Sequence, residues 1–365
     1  MNTKGCAGVL LCLALAFGSA VVAQAQEIVP DTITVEKGKV TEILSQETRN
    51  VPGTETPTVV QSIRVLVTEG KDEGKEVEIN NDYAALRVGD KVFLTHTTNP
   101  LDDRDEYLVS DISRLPTLAV LVLLFVLCVA FFGGKQGLRG LLALSGSLLI
   151  ILFIMLPAIL AGYSALPVSI SIASLIIILG SYITHGFNRT TTSAVLGMIG
   201  TILLTGLLAF ISVATARLSG LNDEDAVYLN FNTAGVIDLP GLLLGGILIG
   251  LLGVLYDVAI GQAVAVEELA HAGPQLSRRE LYTRGIRIGR EHIGALVNML
   301  AIAYVGSSLT LILLYSTSEA SWLFTVNREV FATEIIRIMV GSIGVILAVP
   351  ITTVLAVLRT HRIRE

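Results

Sequence analysis

The sequence predicts an α-helical polytopic membrane bundle of about seven transmembrane helices, preceded by a small extracytoplasmic β-barrel-like domain of the OB or SH3 type. Three observations predict this class. The 365 residues are 52% hydrophobic and only 15% charged, and their mean hydropathy of +0.71 lies outside the usual range of soluble chains. Long apolar runs follow Leu115. Before that residue, β-branched and polar residues alternate as they do in strands.

Residues 1–25 have the pattern of a secretory signal peptide. Lys4 supplies the positive charge, residues 7–17 form an apolar run, and small residues lead to a cleavage position after Ala25. The alternative is an uncleaved first helix, since the apolar character continues almost to that position. Both interpretations place residues 26–114 outside the cytoplasm.

Residues 26–114 are predicted to form the exported β-rich domain. Residues 59–67 alternate like a strand, and residues 77–79 follow them across a turn that contains glycine, which is typical of a hairpin. The segment carries 18 Asp and Glu against 10 Lys and Arg. This acidity argues against nucleic acid as a partner, because phosphate binding needs clustered basic residues. An extracytoplasmic protein is the partner that such a domain would bind.

Seven apolar stretches follow, each able to cross a bilayer core of ~30 Å with ~20 residues. Eleven Lys and Arg lie in alternate connections and in the tail, whereas the opposite loops hold Arg217 and Arg328. The apolar stretches predict a transmembrane helical domain at 115–358, and the asymmetry predicts a cytoplasmic tail at 359–365. The predicted spans are 115–132, 138–161, 166–184, 192–215, 239–262, 292–315 and 334–358.

The fifth span carries a glycine stripe with a carboxylate in it. Gly246, Gly250, Gly253, Asp257 and Gly261 fall on one helical face. This face predicts the close approach of another helix, with Asp257 directed at that helix or at a cavity beside it. A carboxylate inside a span costs a few kcal/mol unless it has a partner, a proton or water. Asp257 is therefore the first candidate for an ion or proton site, and a structural polar residue is the alternative.

Other residues are candidates to support this site. Asn298 in the sixth span should reach the depth of Asp257 and is expected to hydrogen-bond to it across antiparallel helices. Glu268 continues the face of Asp257, and Gly253 and Gly261 leave space on either side of the carboxylate. The candidate ion or proton site is therefore Asp257 with Asn298.

The seventh span contributes a proline and a charged pair. Pro350 removes one helical hydrogen bond and frees a carbonyl at the depth of the candidate site, so it is counted as a supporting residue. Glu334 and Arg337 are three residues apart and are expected to pair on one face near the outer surface. Broken helices beside a buried carboxylate are one way in which transporters form ion sites.

No known catalytic pattern is present in the sequence. Residues 290–292 read Arg-Glu-His, and their order and spacing do not suit helical zinc ligands. His292 is expected to be solvated at the membrane interface. The chain also has no Gly-Lys-Ser/Thr phosphate loop. The sequence therefore predicts a protein that is not an enzyme and that uses no metal or cofactor.

Three segments resemble the YibE/F-like family of bacterial multi-pass membrane proteins. Residues 245–268 contain Gly-Leu-Leu-Gly-Val-Leu-Tyr-Asp-Val-Ala-Ile, residues 290–314 contain Asn-Met-Leu, and residues 327–354 contain Glu-Ile-Ile-Arg and Ala-Val-Pro-Ile-Thr-Thr. The resemblance implies a permease-like, multi-pass topology and supplies no active-site residues. We expect a permease or ion-coupled transporter for a small ion or solute. The alternative is a non-transporting assembly or sensing protein whose exported β domain binds a partner.

Overall fold

The computed structural model describes residues 32–51, 53–99 and 104–361. The predicted signal segment at 1–25 and the end of the predicted tail lie outside these residues. The chain divides into two compact units, Met1–Leu123 and Leu124–Glu365. The first unit contains the β domain and the second contains most of the helical segments.

The β domain is a five-stranded antiparallel sheet with the strand order β3-β2-β1-β4-β5. The central strand β1 is 19 residues long, and it pairs with β4 through its first part and with β2 through its second part. The strands are β1 Thr32–Asn50, β2 Pro57–Glu69, β3 Glu76–Asn81, β4 Lys91–Asn99 and β5 Arg104–Ile112.

The predicted hairpin is confirmed by the pairing of β2 with β3, in which Val65 lies opposite Val77 and Ile63 opposite Ile79. Alternate residues of all five strands point into one apolar core, so the sheet is curled. In this sheet β3 and β5 are close but not paired, and the OB- or SH3-type barrel stays a prediction. The core residues are Val40, Ile63, Val65, Val67, Val77, Ile79, Leu86, Val92, Leu94 and Tyr107.

The helical part begins at Leu115 and is a bundle of long apolar helices joined by short segments. The helices are α1 Leu115–Ile150, followed by a π-helical turn at Ile151–Met155, then α2 Leu156–Leu160, α3 Ala165–His185, α4 Arg189–Ala216, α5 Glu224–Asn232, α6 Leu239–Ala272, α7 Arg278–Ser307, α8 Leu309–Ser316, α9 Trp322–Asn327 and α10 Glu329–His361.

Five helical stretches in the described residues are long and apolar enough to cross a membrane, or six if the bent pair α7 and α8 is one span. This count differs from the seven predicted spans because the first two run together as one stretch of 46 residues. At 1.5 Å per residue such a stretch would be about 69 Å long, twice the thickness of a bilayer core. Gly134 interrupts it with φ 53° and ψ −139°, between the two predicted spans.

The π-helical turn has a local cause. Pro157 lies two residues after its last residue, Met155, and proline cannot donate the backbone hydrogen bond that a regular helix requires. A wider turn before the proline accommodates the missing donor and the bulk of the ring.

Side-chain caps mark the starts of α5 and α7. Ser277 and Glu280 form a reciprocal capping box at the start of α7, so this helix begins 14 residues before the predicted sixth span. The carboxylate of Asp223 accepts a hydrogen bond from the Ala226 amide and caps α5.

Small residues hold the inner helices together. The ideal Cβ of Gly344 on α10 would lie 2.7 Å from Thr205 Oγ1 and 2.9 Å from Leu251 Cδ2, so only glycine fits there. Gly197 on α4 meets Thr352 in the same way. Helices α4, α6 and α10 thereby form the centre of the bundle, whereas α1, along its described length, has no buried residue.

Candidate functional site

A cavity of about 260 Å³ lies between α6, α7 and α10. Its polar wall consists of Asp257, Gln262 and His292, and the remaining wall is apolar or glycine. This combination of a few polar groups in an apolar cavity is common in small-molecule and ion sites. The other lining residues are Val258, Gly261, Ala265, Ile288, Gly289, Leu296 and Val349.

Gln262 is the most firmly held polar residue of this cavity. Its side chain is 4% exposed, and its Nε2 donates to the carbonyl of Gly285 on α7 at 2.8 Å and to Thr353 Oγ1 on α10 at 2.7 Å. Thr353 Oγ1 in turn donates to the carbonyl of Val349 at 2.6 Å. One amide therefore ties the three helices of the cavity together.

Glycines on α7 allow these helices to approach. An ideal Cβ at Gly289 would collide with Val349 and lie 2.9 Å from Gln262 Oε1. At Gly285 it would lie 3.0 Å from both Thr353 and Val266. Any side chain at these two positions would push α7 away from α6 and α10.

Asp257 lines the cavity as the sequence led us to expect, but its side chain is also exposed at the surface of the chain. The preceding residue, Tyr256, donates its hydroxyl to the carbonyl of Gly180 on α3 at 3.3 Å. This hydrogen bond fixes the rotation of α6 about its axis from the side that faces α3. Because residues 256 and 257 project about 100° apart on a helix, it also holds Asp257 toward the cavity.

The structure does not pair Asp257 with Asn298, the partner that the sequence predicts. No hydrogen bond joins Asp257 to Asn298 among the described residues, and Asn298 is exposed and does not line the cavity. His292 lies on the cavity wall instead, although it was expected to be only an interfacial residue. The pair of polar side chains beside Gln262 is therefore Asp257 and His292.

Little of the glycine stripe meets another helix among the described residues. Gly246, Gly253 and Gly261 have open space where a Cβ would be, and Gly250 meets the hydroxyl of Tyr304 at 2.7 Å. Helical periodicity shows which residues share a face, but it does not show whether that face points inward. The close approach of another helix is therefore observed at Gly250 and stays a prediction for the rest of the stripe.

The remaining supporting candidates are divided between the cavity and the surface. Gly261 lines the cavity, Gly253 does not, and Glu268 is exposed one helical turn or more beyond it. Pro350 lies inside α10 next to the lining residue Val349. Pro350 itself does not line the cavity, and its role as a supporting residue stays a prediction.

Glu334 and Arg337 form the predicted pair at 3.2 Å within α10. The guanidinium also lies 5.7 Å from the centre of the Tyr304 ring. One oxygen of Glu334 and the Nε of Arg337 are buried without hydrogen-bond partners. This pair lines neither of the cavities described for the helical part.

A second cavity, of about 570 Å³, lies between α3, α4 and α6 near the start of α6. Arg217 and Asp238 are its charged lining residues. Asp238 also accepts a hydrogen bond from the Gly241 amide and caps α6. Counting from Gly241 to Asp257, the two cavities lie roughly 24 Å apart along α6.

The chemistry available in the Asp257 cavity is that of reversible cation or proton binding. A carboxylate and an imidazole can both gain and lose a proton, and an amide held by two other helices cannot move away. Among the described residues, no group of three or more His, Cys, Asp or Glu is placed to hold a metal ion. Sequence reasoning missed Gln262, although an uncharged amide within an apolar helix is itself an indication of a buried polar contact.

Comparison with known proteins identifies the helical part. A family model described as YibE/F-like protein matches residues 121–362, which is more than half of the chain. Searches of the curated proteins and of the solved structures gave no match.

Proposed function

This chain belongs to the YibE/F-like family, and we propose that it is a permease or ion-coupled transporter in which Asp257 binds a cation or carries a proton. The family and the apolar helices make it a multi-pass membrane protein. The observation that supports transport is the placement of Asp257 in a cavity with His292 and Gln262. The proposal assigns no covalent chemistry to the chain.

The position of the Asp257 carboxylate in an apolar span favours this proposal over a purely structural role of that residue. Asp257 has no hydrogen-bonded or ionic partner among the described residues. A carboxylate at such a position is stabilised by a proton, a cation or water. The two cavities at different levels of α6 are consistent with a path whose openings lie at different depths.

The proposed topology has seven spans in a bacterial inner membrane. The stretch Leu115–Leu160 is two spans that turn at Gly134, and α7 with α8 is one bent span. The exported β domain and the arginine-bearing cytoplasmic tail then agree with the distribution of Lys and Arg. Reporter fusions after residues 135 and 361 should both indicate the cytoplasm, and a fusion after residue 220 the opposite side.

The direct test is flux through the purified protein in liposomes. The vesicles contain a pH-sensitive dye and receive an imposed gradient of protons, Na⁺ or K⁺. Asp257→Asn keeps the shape of the side chain but cannot be charged, so we expect at least a tenfold lower flux than in the original chain. Thermal unfolding of both proteins in detergent verifies that the variant is folded.

Glu268→Gln is the matched control, because Glu268 lies on the same helix but outside the cavity lining. Its flux should be unchanged. Equal flux in the Asp257→Asn variant and the original chain would remove the carboxylate from the mechanism.

The second candidate function is a non-transporting assembly or sensing protein. It is favoured by the groove between β3 and β5 in the exported domain. Deleting residues 26–110 separates the two possibilities. Flux that survives the deletion and is lost with Asp257→Asn supports transport, whereas the absence of flux in every form of the chain, together with partner binding that the deletion abolishes, supports the binding protein.

A further inference from the structure

The curled sheet of the β domain leaves a groove between its two edge strands. Strands β3 and β5 are at the ends of the strand order, so each has an edge without a paired neighbour. The two edges lie on opposite sides of a groove of about 380 Å³. Residues 77–80 of β3, residues 105–108 of β5 and Lys75 line this space, which we call the β3–β5 groove.

The groove carries an excess of acidic side chains. Glu78, Asp105 and Glu106 line it, and Lys75 is its one lining cation. The carboxylate of Glu78 also accepts a hydrogen bond from Nη2 of Arg64 at 2.8 Å, and Arg64 does not line the groove. Glu106 forms no hydrogen bond or ion pair with another described residue and is exposed.

A buried polar cluster lies behind Asp105. Its Oδ1 is 2.6 Å from Nε2 of His96, a side chain that is 5% exposed. On the other side of the imidazole, Nδ1 lies 3.6 Å from Glu36 Oε1. Glu36 is 2% exposed, and its second oxygen has no hydrogen-bond partner. The first oxygen also accepts a hydrogen bond from the Lys71 amide at 3.3 Å, so Glu36 keeps one buried acceptor oxygen that could take a further donor.

Hydrogen bonds from Tyr107 and His96 keep two carboxyl groups of the cluster, those of Asp72 and Asp105, acidic. The hydroxyl of Tyr107, whose ring stacks on His96, donates to Asp72. This hydrogen bond holds the pKa of Asp72 below its ordinary value, and the hydrogen bond from His96 lowers the pKa of Asp105. Both carboxyl groups therefore stay ionised at neutral pH.

Lys75 shows that the exposed side of this cluster binds a positively charged group. Its Nζ lies 3.5 Å from Asp105 Oδ2 and 3.6 Å from Asp72 Oδ2, and it is 5.2 Å from the centre of the Tyr107 ring. Its side chain is 46% exposed and long enough to move aside. The carboxyl groups of Asp72 and Asp105 thus share one ammonium that can be displaced.

We propose that the β3–β5 groove binds an extended peptide segment and takes a Lys or Arg side chain of that segment against Asp105 and Glu106. The unpaired edge of β3 or of β5 offers backbone hydrogen bonds to an added strand, as in other complexes formed by strand addition. The acidic cluster selects the positive side chain, which replaces Lys75. This site goes beyond the transport proposal and does not depend on it.

The test uses the full-length chain in lipid nanodiscs and an array of blocked pentapeptides of the form Thr-X-Arg-X-Thr, with X an apolar residue. A second array has Gln in place of Arg. We expect the best Arg peptides to bind at least tenfold more tightly than their Gln counterparts, because the lost contact is a charge-assisted hydrogen bond. Agmatine, which carries a guanidinium without a peptide backbone, should bind at least tenfold more weakly than these peptides.

Two variants should change the affinity in opposite directions. Glu106→Gln removes an exposed groove acid without disturbing the buried cluster and should weaken binding. Lys75→Met removes the competing ammonium and should strengthen it. Glu42→Gln and Lys39→Met remove the same charges outside the groove lining and should leave the affinity unchanged. If Glu106 and Lys75 only stabilised the fold, their two variants would not change the peptide affinity in opposite directions.

Three results would overturn the proposal. The first is equal binding of the Arg and Gln arrays, including the absence of binding to both. The second is agmatine binding as tightly as the peptides, which would exclude strand addition. The third is an Arg-peptide affinity that stays the same in the Glu106→Gln and Lys75→Met variants.

Discussion

The side-chain amide of Gln262 donates a hydrogen bond to the hydroxyl of Thr353 at 2.7 Å, from α6 to α10. Both side chains are almost fully buried, and the same amide also reaches the carbonyl of Gly285 on α7. The cavity that contains Asp257 is therefore bounded by helices whose spacing is fixed by one side chain.

Replacing Gln262 with leucine should loosen these three helices. The change removes two buried hydrogen bonds and should lower the free energy of unfolding by about 1–2 kcal/mol, the range for polar contacts between membrane helices. Unfolding of the purified protein by SDS titration in mixed micelles measures this loss. Thr283→Val is the control, because that exposed hydroxyl bonds only to its own helix at Arg279. Equal losses in both variants would contradict a special role for Gln262.

Substitution of two glycines that lie inside helices, Gly289 in α7 and Gly253 in α6, should change the stability in opposite directions. Gly289→Ala places a Cβ against Val349 and Gln262 and should lower the unfolding free energy by about 1–3 kcal/mol, as overpacking does. Gly253→Ala faces open space and should stabilise α6 by up to about 1 kcal/mol through helix propensity. Thermal unfolding in detergent measures both. A destabilised Gly253→Ala protein would mean that another molecule covers the glycine stripe.

Glu329 should hold the segment that follows α4. Its carboxylate accepts hydrogen bonds from the amides of Ser219 and Gly220 at 2.6 and 2.9 Å and from the Ser219 hydroxyl. Glu329→Ala leaves these donors without a protein partner and should cost about 1–2 kcal/mol. Hydrogen exchange of a peptide that covers both amides should accelerate. Glu319→Ala, at an exposed position, should not change it, and unchanged exchange in the Glu329 variant would contradict the assignment.

Asp111 should make the stability of the β domain depend on pH. Hydrogen bonds from Arg114, from the Ile112 amide and from the Tyr83 hydroxyl hold the pKa of Asp111 below its ordinary value of 3.8. Its stabilising contribution is therefore present above pH 3.8 and is lost as the pH falls through the lower, folded-state pKa. Scanning calorimetry of the full-length chain in nanodiscs between pH 2 and 7 measures this.

The Asp111→Asn variant is the comparison for that experiment. Its midpoint for the β domain should lie below that of the original chain at neutral pH, and the difference should shrink as the solution becomes acidic. A constant difference over the whole range would show that the charge of Asp111 is not responsible.

Local chemistry explains most of what could be predicted. The strand at 59–67, the hairpin that joins it to 77–79 and the pair of Glu334 with Arg337 depend on alternation, turns and short spacing, all of which are visible in the chain. The helices also appear where apolar runs predict them. The number of separate spans does not follow in the same way, because Gly134 interrupts a helix without ending its apolar pattern.

The candidate site was only partly predictable. Asp257 stands out because a carboxylate in an apolar run is costly wherever it points. Its neighbours could not be read from spacing, since His292 and Gln262 reach the cavity through the rotation of α6 and α7 about their axes. That rotation is decided by Gly285 and Gly289, which allow close packing, rather than by the more conspicuous glycine stripe.

The sequence alone determined that this is a membrane protein with an acidic, β-rich N-terminal domain, because transfer of long apolar runs out of water and the alternation of strands act locally along the chain. The tertiary structure decided which helical faces are buried, which residues share a cavity with Asp257, and how near the edges of β3 and β5 lie. Those features depend on contacts between segments far apart in sequence, where steric fit at individual glycines and single buried hydrogen bonds select one arrangement.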